Sequence, residues 1–189
     1  MKEKLLLVGA GGFGRVVLEH AQQEYECSLV DDGVEAGTVI DGAKVIGGTD
    51  KLASFFPGYQ KLIVAIGNNT VREKIYKEAR RIGYTFPNII VPSAYVSPHA
   101  RIGDGCVILN NAVVQNGAVI GDGCLLNPGV EAHHDSCIGN YCLIYTNSVV
   151  RSLTHVGDRV WIGSTATVST GASVPDDAVI EDGAVFGIT

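Results

Sequence analysis

Val96, Ile102, Ile108, Val114, Ile120, Leu126, Ala132, Ile138, Ile144, Val150, Val156, Ile162, Val168, Val174, Ile180 and Phe186 stand six residues apart without interruption, and fourteen of the sixteen are Val, Ile or Leu. Four residues after each comes a small or slim side chain, among them Ala100, Cys106, Ala112, Ser136, Cys142 and Ala184. A fixed short period of this kind marks a solenoid, in which each repeat buries its apolar residue against its neighbours. One hexad suits a short flat strand and a turn, so three would close a triangular coil. The longer period is visible too: Ile102-Gly103-Asp104, Ile120-Gly121-Asp122, Ile138-Gly139-Asn140 and Val156-Gly157-Asp158 recur 18 residues apart. These turns should stack on one edge of a prism, with Gly chosen for φ > 0 and Asp or Asn for bonding the local backbone. The second half of the chain, 96–189, is therefore expected to be a parallel β-helix.

The chain has 189 residues, 46% of them hydrophobic, and a formal charge of −6 with only 14 Lys plus Arg. That length supports two small domains. The acidic balance and the lack of a basic run argue against nucleic acid or an anionic membrane as partner. Of five cysteines, Cys106, Cys124 and Cys142 lie 18 apart at the small position and are expected to stack as buried thiols. No Cys-x-x-Cys pair or zinc spacing occurs, so no metal is expected, and free thiols fit a reducing cytoplasm. The apolar run Leu5 to Val8 passes straight into Gly9-Ala10-Gly11-Gly12 and reads as a buried first strand rather than a signal peptide. No run of 18 apolar residues is present to span a membrane.

Residues 1–86 read as a small α/β domain. After the first strand, Gly9-Ala10-Gly11-Gly12-Phe13-Gly14 fits G-x-G-x-x-G, followed by a helix through Val16, Val17, His20 and Ala21 and a strand from Cys27 to Val30 that ends in Asp31-Asp32. Such a βαβ unit can place backbone N–H groups and a helix dipole against a pyrophosphate, with the acidic pair near a ribose hydroxyl. The same glycines would also serve close strand-to-helix packing. Gly37 to Gly48 is expected as a surface hairpin or loop, Thr49 to Phe56 as a short helix, and Lys61 to Ile66 as a third strand ending in Gly67-Asn68-Asn69. A helix over 70–82 places Val71, Ile75, Ala79 and Ile82 on one face and stops at Gly83. Pro87 and Pro92 bracket a stiff extended connector, 87–95.

The core of a β-helix is apolar, so chemistry must come from its outward residues and turns. Glu131-Ala132-His133-His134-Asp135 is the one turn where several ionisable side chains crowd together. A histidine beside a carboxylate can be oriented and its imidazolium stabilised, which suits a general base. Solvated turn residues are the plain alternative. Metal binding by His133 and His134 is disfavoured because adjacent strand residues point to opposite sides.

These residues together resemble the hexapeptide-repeat, left-handed β-helix acyltransferases. The first half, with Gly9 to Gly14, Asp31-Asp32 and Ala65-Ile66-Gly67-Asn68-Asn69 before Val71-Arg72-Glu73-Lys74-Ile75-Tyr76, is similar to the bacterial nucleotide-amino-sugar N-acetyltransferases (PglD-like). The sialic acid O-acetyltransferase relatives (NeuD-like) share that architecture. The resemblance implies a cytoplasmic homotrimer that transfers acetyl from acetyl-CoA to the amine of a UDP-linked amino sugar, without a metal. It maps the general base to His134 and its carboxylate to Asp135 in His133-His134-Asp135-Ser136-Cys137-Ile138-Gly139. It further implies sugar-nucleotide contacts by Gly11, Gly12, Phe13, Asp31, Asp32, Gly67 and Asn68, and acetyl-CoA contacts in the groove between adjacent helices by Asn127, Leu143, Ser152 and Ser164.

The sequence departs from the family pattern at several points. His133 replaces the acid before the base, Leu143 replaces a second histidine, Phe13 replaces the histidine of the Gly-rich turn, and Tyr145, Asn147, Arg151 and Ser152 replace small residues. The chain closes on Phe186-Gly187-Ile188-Thr189, where relatives typically continue. Two other readings follow: sugar or sialic acid O-acetylation with the same base, and a trimeric nucleotide-sugar-binding paralogue without acyl transfer. A dinucleotide oxidoreductase, suggested by the glycines alone, lacks the length for a full dinucleotide fold.

Overall fold

The structure is a computed structural model and describes residues 2–187; the closing Ile188-Thr189 lie outside the described residues. The chain divides into two compact units, Met1–Ile89 and Ile90–Thr189.

The first unit is built on a five-stranded sheet in the order β3-β4-β2-β1-β5. Its central strands are β1 (Glu3–Val8), β2 (Tyr25–Val30) and β5 (Lys61–Val64), all parallel. Leu5, Leu6, Leu7, Val8, Leu62, Ile63 and Val64 are fully buried, as an apolar run covered on both faces requires. The segment expected as a surface hairpin is only partly one. β3 (Val39–Ile40) and β4 (Ala43–Gly47) do form an antiparallel pair, turning at Asp41 and Gly42, both with positive φ. β4 also pairs in parallel with β2 and buries Val45, so it is a member of the sheet.

Three helices complete this unit: α1 (Gly12–Ala21), α2 (Leu52–Phe55) and α3 (Asn69–Ile82). α3 ends on Gly83 at φ 116, as an αL cap requires, and carries the Glu73–Lys77 pair at 2.8 Å. Its buried face differs from the one expected from hydrophobicity alone. Arg72, Ile75, Tyr76 and Ala79 are buried, whereas Val71 is 41% exposed. The reason is polar: the Tyr76 hydroxyl accepts from Val64 N at 3.0 Å, and the Arg72 guanidinium turns inward to bond Ile66 O at 2.7 Å.

The second unit is a left-handed parallel β-helix whose two-residue strands form three stacked sheets of six, five and six strands. Each strand pairs in parallel with the one 18 residues on, for example Val113↔Glu131 and Val149↔Thr167. The inward residues form one continuous apolar column that includes Ile108, Ile120, Ile144 and Val168. Each such side chain contributes about 1.5–3 kcal/mol by leaving water. Cys106, Cys124 and Cys142 are fully buried in it and donate S–H to Gly121 O, Gly139 O and Gly157 O of the next coil, at 3.1, 3.0 and 3.2 Å. Within the segment 87–95, expected as a stiff extended connector, β6 (Ile89–Ile90) opens one sheet of the β-helix and Val91 N bonds Ile108 O.

The turn glycines have a different cause from the one expected. Gly103, Gly121 and Gly139 do not take positive φ. Instead, a Cβ on Gly103 would lie 2.5 Å from Asp122 Oδ1 of the next coil, and on Gly121 it would lie 2.7 Å from Asn140 Oδ1. Those oxygens accept from the backbone N–H groups of Asp104 and Asp122, both at 2.9 Å, so the Asp/Asn ladder ties one coil to the next. The left-handed residue sits elsewhere in each hexad. Every sixth position from Gly105 to Gly183 has φ between 56° and 74°, and eight of these fourteen are not glycine.

Candidate active site

His134 lies in the turn after the strand Glu131–Ala132, followed by Asp135 at φ 58. Asn and Asp tolerate αL better than most residues, which suits Asp at that point. The conformation is held from the coil below, because Asp135 N bonds Asn116 O at 3.2 Å and Asp135 Oδ1 packs over Gly117, where a Cβ would leave no room. The other carboxylate oxygen, Oδ2, lies 2.9 Å from His134 Nδ1. Gln115 Oε1 accepts from His134 N at 2.9 Å. With Nδ1–H directed at Asp135, Nε2 carries the lone pair and faces outward on a side chain that is 57% exposed. That is the tautomer a general base needs.

His133 is held differently. Its Nε2 lies 3.0 Å from Glu131 Oε2 and its side chain is only 27% exposed. The two histidines are each paired with their own carboxylate. Both belong to the turn rather than to a strand, and among the described residues no cluster of three or more His, Cys, Asp or Glu could hold a metal ion.

In the first unit, the expected nucleotide residues gather at the carboxyl edge of the sheet. The glycines divide by role. Gly9 at φ 110 would place a Cβ 2.8 Å from Ala65 O, and Gly14 packs directly on the Gly9 carbonyl, so both serve close packing. Gly11 and Gly12 have nothing within 4 Å of a Cβ, and α1 begins there with no side-chain cap and no acidic residue in its first turn. This end presents backbone N–H groups and a positive dipole to open space.

Asp31 and Asp32 follow the end of β2. Asp31 Oδ2 accepts from Ala10 N at 2.7 Å and Oδ1 from Gly33 N at 2.8 Å, which fixes the Gly-rich turn. Asp32 accepts from Thr49 N at 2.6 Å and Thr49 Oγ1 at 2.9 Å. Both line a cleft of about 450 Å³ with Gly47, Gly48 and Lys51. Asn68 caps α3 by accepting from Val71 N at 3.0 Å, and Gly67 lies within the loop that Arg72 clamps.

The residues expected to contact acetyl-CoA do not share one edge. Ser152 stands one coil above His134, since Ala132 pairs with Val150. Asn127 and Ser164 occupy another edge, flanking the strands that lead into Glu131–Ala132 and Thr167–Val168. Asn127 is 9% exposed and donates from Nδ2 to Ile144 O at 3.1 Å, and Leu143 is 3% exposed. Tyr145 and Trp161 pack with their ring planes tilted by 53° and their centroids 5.1 Å apart.

A Rossmann-like α/β unit followed by a hexapeptide β-helix that carries an oriented turn histidine defines an acyltransferase. Family models match in both halves: the PglD N-terminal domain over residues 4–79 and the bacterial transferase hexapeptide (six repeats) over residues 117–152. The chain is 34% identical to the acetyltransferase domain of PglB from Neisseria gonorrhoeae, over 98% of this chain and 92% of that one, with a TM-score of 0.92. The same domain in complex with acetyl coenzyme A is matched at 32% identity over 98% and 96%, with a TM-score of 0.85. A histidine-to-asparagine variant of perosamine N-acetyltransferase from Caulobacter crescentus, in complex with CoA and GDP-perosamine, is matched at 29% identity over 97% and 88%, again at 0.92. The chain belongs to the PglD-like family of hexapeptide-repeat sugar N-acetyltransferases, and it is an acetyltransferase.

Gln115 and the burial of Arg72 escaped the reading of the sequence. The first could have been found by aligning the turns at the 18-residue period, which puts Gln115 directly below His133. Nothing in the sequence marks Arg72 as buried, because an arginine on an amphipathic helix reads as a solvated residue.

Proposed function

We propose that this protein transfers the acetyl group of acetyl-CoA to the amine of a nucleotide-linked amino sugar, with His134 as general base. The observation that carries this reading is the 2.9 Å bond between His134 Nδ1 and Asp135 Oδ2, which leaves Nε2 as the acceptor at an exposed turn. As the sugar nitrogen adds to the thioester carbonyl, Nε2 takes the proton that nitrogen sheds. Asp135 stabilises the resulting imidazolium, which then protonates the departing CoA sulfur, so His134 returns to its starting state. The first unit supplies the nucleotide site: the open Gly11-Gly12 end of α1 takes phosphate, and the cleft beside Asp31 and Asp32 takes the nucleoside.

The expected nucleotide is UDP, while the similar perosamine enzyme was crystallised with GDP-perosamine, so the base is decided by experiment. The protein is further read as a cytoplasmic homotrimer. Asn127 and Ser164 stand on a different edge from His134, an arrangement that suits a donor groove shared by neighbouring copies. No helix among the described residues is long and apolar enough to cross a membrane. The test is CoA release on mixing acetyl-CoA with UDP- or GDP-linked 4-amino sugars, with the product weighed by mass spectrometry. Acetylated amine is expected. Acetylation only of hydroxyl acceptors would establish the O-acetyltransferase alternative, and no transfer to either would sink the reading.

A further inference from the structure

The edge that carries His134 is assembled from turns 18 residues apart: Gln115 to Ala118 below, His133 to Ser136, then Arg151 to Thr154 above. His133 N bonds Val150 O at 2.9 Å and Arg151 N bonds Val168 O at 3.0 Å, so these coils are consecutive rungs of one ladder. Consecutive rungs are spaced about 4.8 Å apart. Arg151 thus stands directly above His133, and Ser152 and Leu153 stand above His134 and Asp135. Three features of these two coils bear on what the upper turn can bind. The Arg151 side chain is exposed and makes no hydrogen bond or ion pair among the described residues. The two acids on the coil below are occupied, Glu131 with His133 and Asp135 with His134. Leu153, at the regular left-handed position of the hexad, is 55% exposed and turns its side chain toward solvent rather than the core.

We infer that Arg151 reads the acceptor, its guanidinium pairing to an anionic group carried about one sugar ring away from the atom that is acetylated. This rests on His134 as the base. A glycosyl phosphate meets the requirement, because it sits across the ring from a 4-amino group. The donor's phosphates do not, because the pantetheine arm holds them farther from the thioester than an arginine stem can reach. Arginine offers a rigid donor fork that matches phosphate oxygens.

The experiment compares two acceptors, a UDP- or GDP-linked 4-amino sugar and the methyl glycoside of the same amino sugar, with wild type, Arg151→Gln and Arg151→Lys. Arg151→Gln is expected to lower kcat/KM for the nucleotide-linked acceptor by about tenfold or more, to leave the methyl glycoside and the KM for acetyl-CoA unchanged, and to be partly rescued in Arg151→Lys. Equal losses on both acceptors, a rise confined to the KM for acetyl-CoA, or no change would each overturn the inference. Wild type without any transfer would defeat the reading of function instead. In that case calorimetry of the nucleotide-linked sugar with wild type and Arg151→Gln still decides the arginine: equal affinities would reject it. Arg151 is exposed and partnerless, so the melting temperature of the variant should match wild type and serves as the folding control.

Discussion

Asp135 carries two constraints in one side chain. Its backbone takes the left-handed position of the hexad, and its carboxylate is divided between a packing contact over Gly117 and the bond to His134 Nδ1. Asn tolerates the same φ, so Asp135→Asn keeps the turn while removing the charge that stabilises the imidazolium. The expected result is a fall in kcat of about tenfold or more with the KM values and melting temperature nearly unchanged. An unaltered kcat would show that Asp135 only shapes the turn. His134 and Asp135 were legible in the sequence because ionisable residues crowd a turn of an otherwise apolar solenoid. Gln115 was not, since it lies 19 residues from His134 in sequence and reaches its backbone only through the stacking of coils. Asp31, Asp32 and Asn68 were legible only as positions at the edge of the sheet; the backbone N–H groups they accept from, of Ala10, Thr49 and Val71, were not.

At the scale of the element, the six-residue period gave the strands, their order and the buried cysteines directly, since an inward side chain every hexad leaves one arrangement that buries them all. What it could not give was which turn position takes positive φ, because eight non-glycine residues occupy it. Tyr141, Leu153, Arg159 and Thr165 do so at a cost of about 1–2 kcal/mol each. Thr165 is exposed and β-branched, the least suited type. Thr165→Gly is therefore expected to raise stability by about 0.5–1 kcal/mol after the entropy cost of glycine, a rise of about 2 °C in Tm by calorimetry. A lower Tm would mean that the hydroxyl, which bonds Ser164 O at 2.6 Å, outweighs the backbone. Gly121→Ala should act in the opposite direction, because its Cβ would lie 2.7 Å from the Gly139 backbone carbon, and soluble expression with an unchanged denaturation midpoint would refute that close approach. The thiol column offers a further check. Cys106, Cys124 and Cys142 should react with a thiol reagent only after denaturation, while Cys27, whose pKa burial pushes up to about 11, gains reactivity only as the pH climbs toward that value. Labelling of any of the three in the native protein would contradict their burial.

For the molecule as a whole, the sequence resolved two architectures because two periods meet in one chain: buried α/β strands of four to six residues, then hexads. The hexads reach back across the boundary, since Ile90 stands six residues before Val96 and the strand Ile89–Ile90 lies beside the strand Val107–Ile108 of the next coil. On the proposed reading of a homotrimer, light scattering should give a mass three times that of the 19.9 kDa chain. A monomer active in acetyl transfer would dismiss the shared donor groove. The central claim, that an Asp-oriented turn histidine drives acetyl transfer to a sugar amine, is tested most directly by the turnover of His134→Ala at saturating acetyl-CoA and nucleotide-linked 4-amino sugar. A fall in kcat of about 10²–10⁴ is expected, with affinity for UDP or GDP retained; turnover equal to wild type would contradict it.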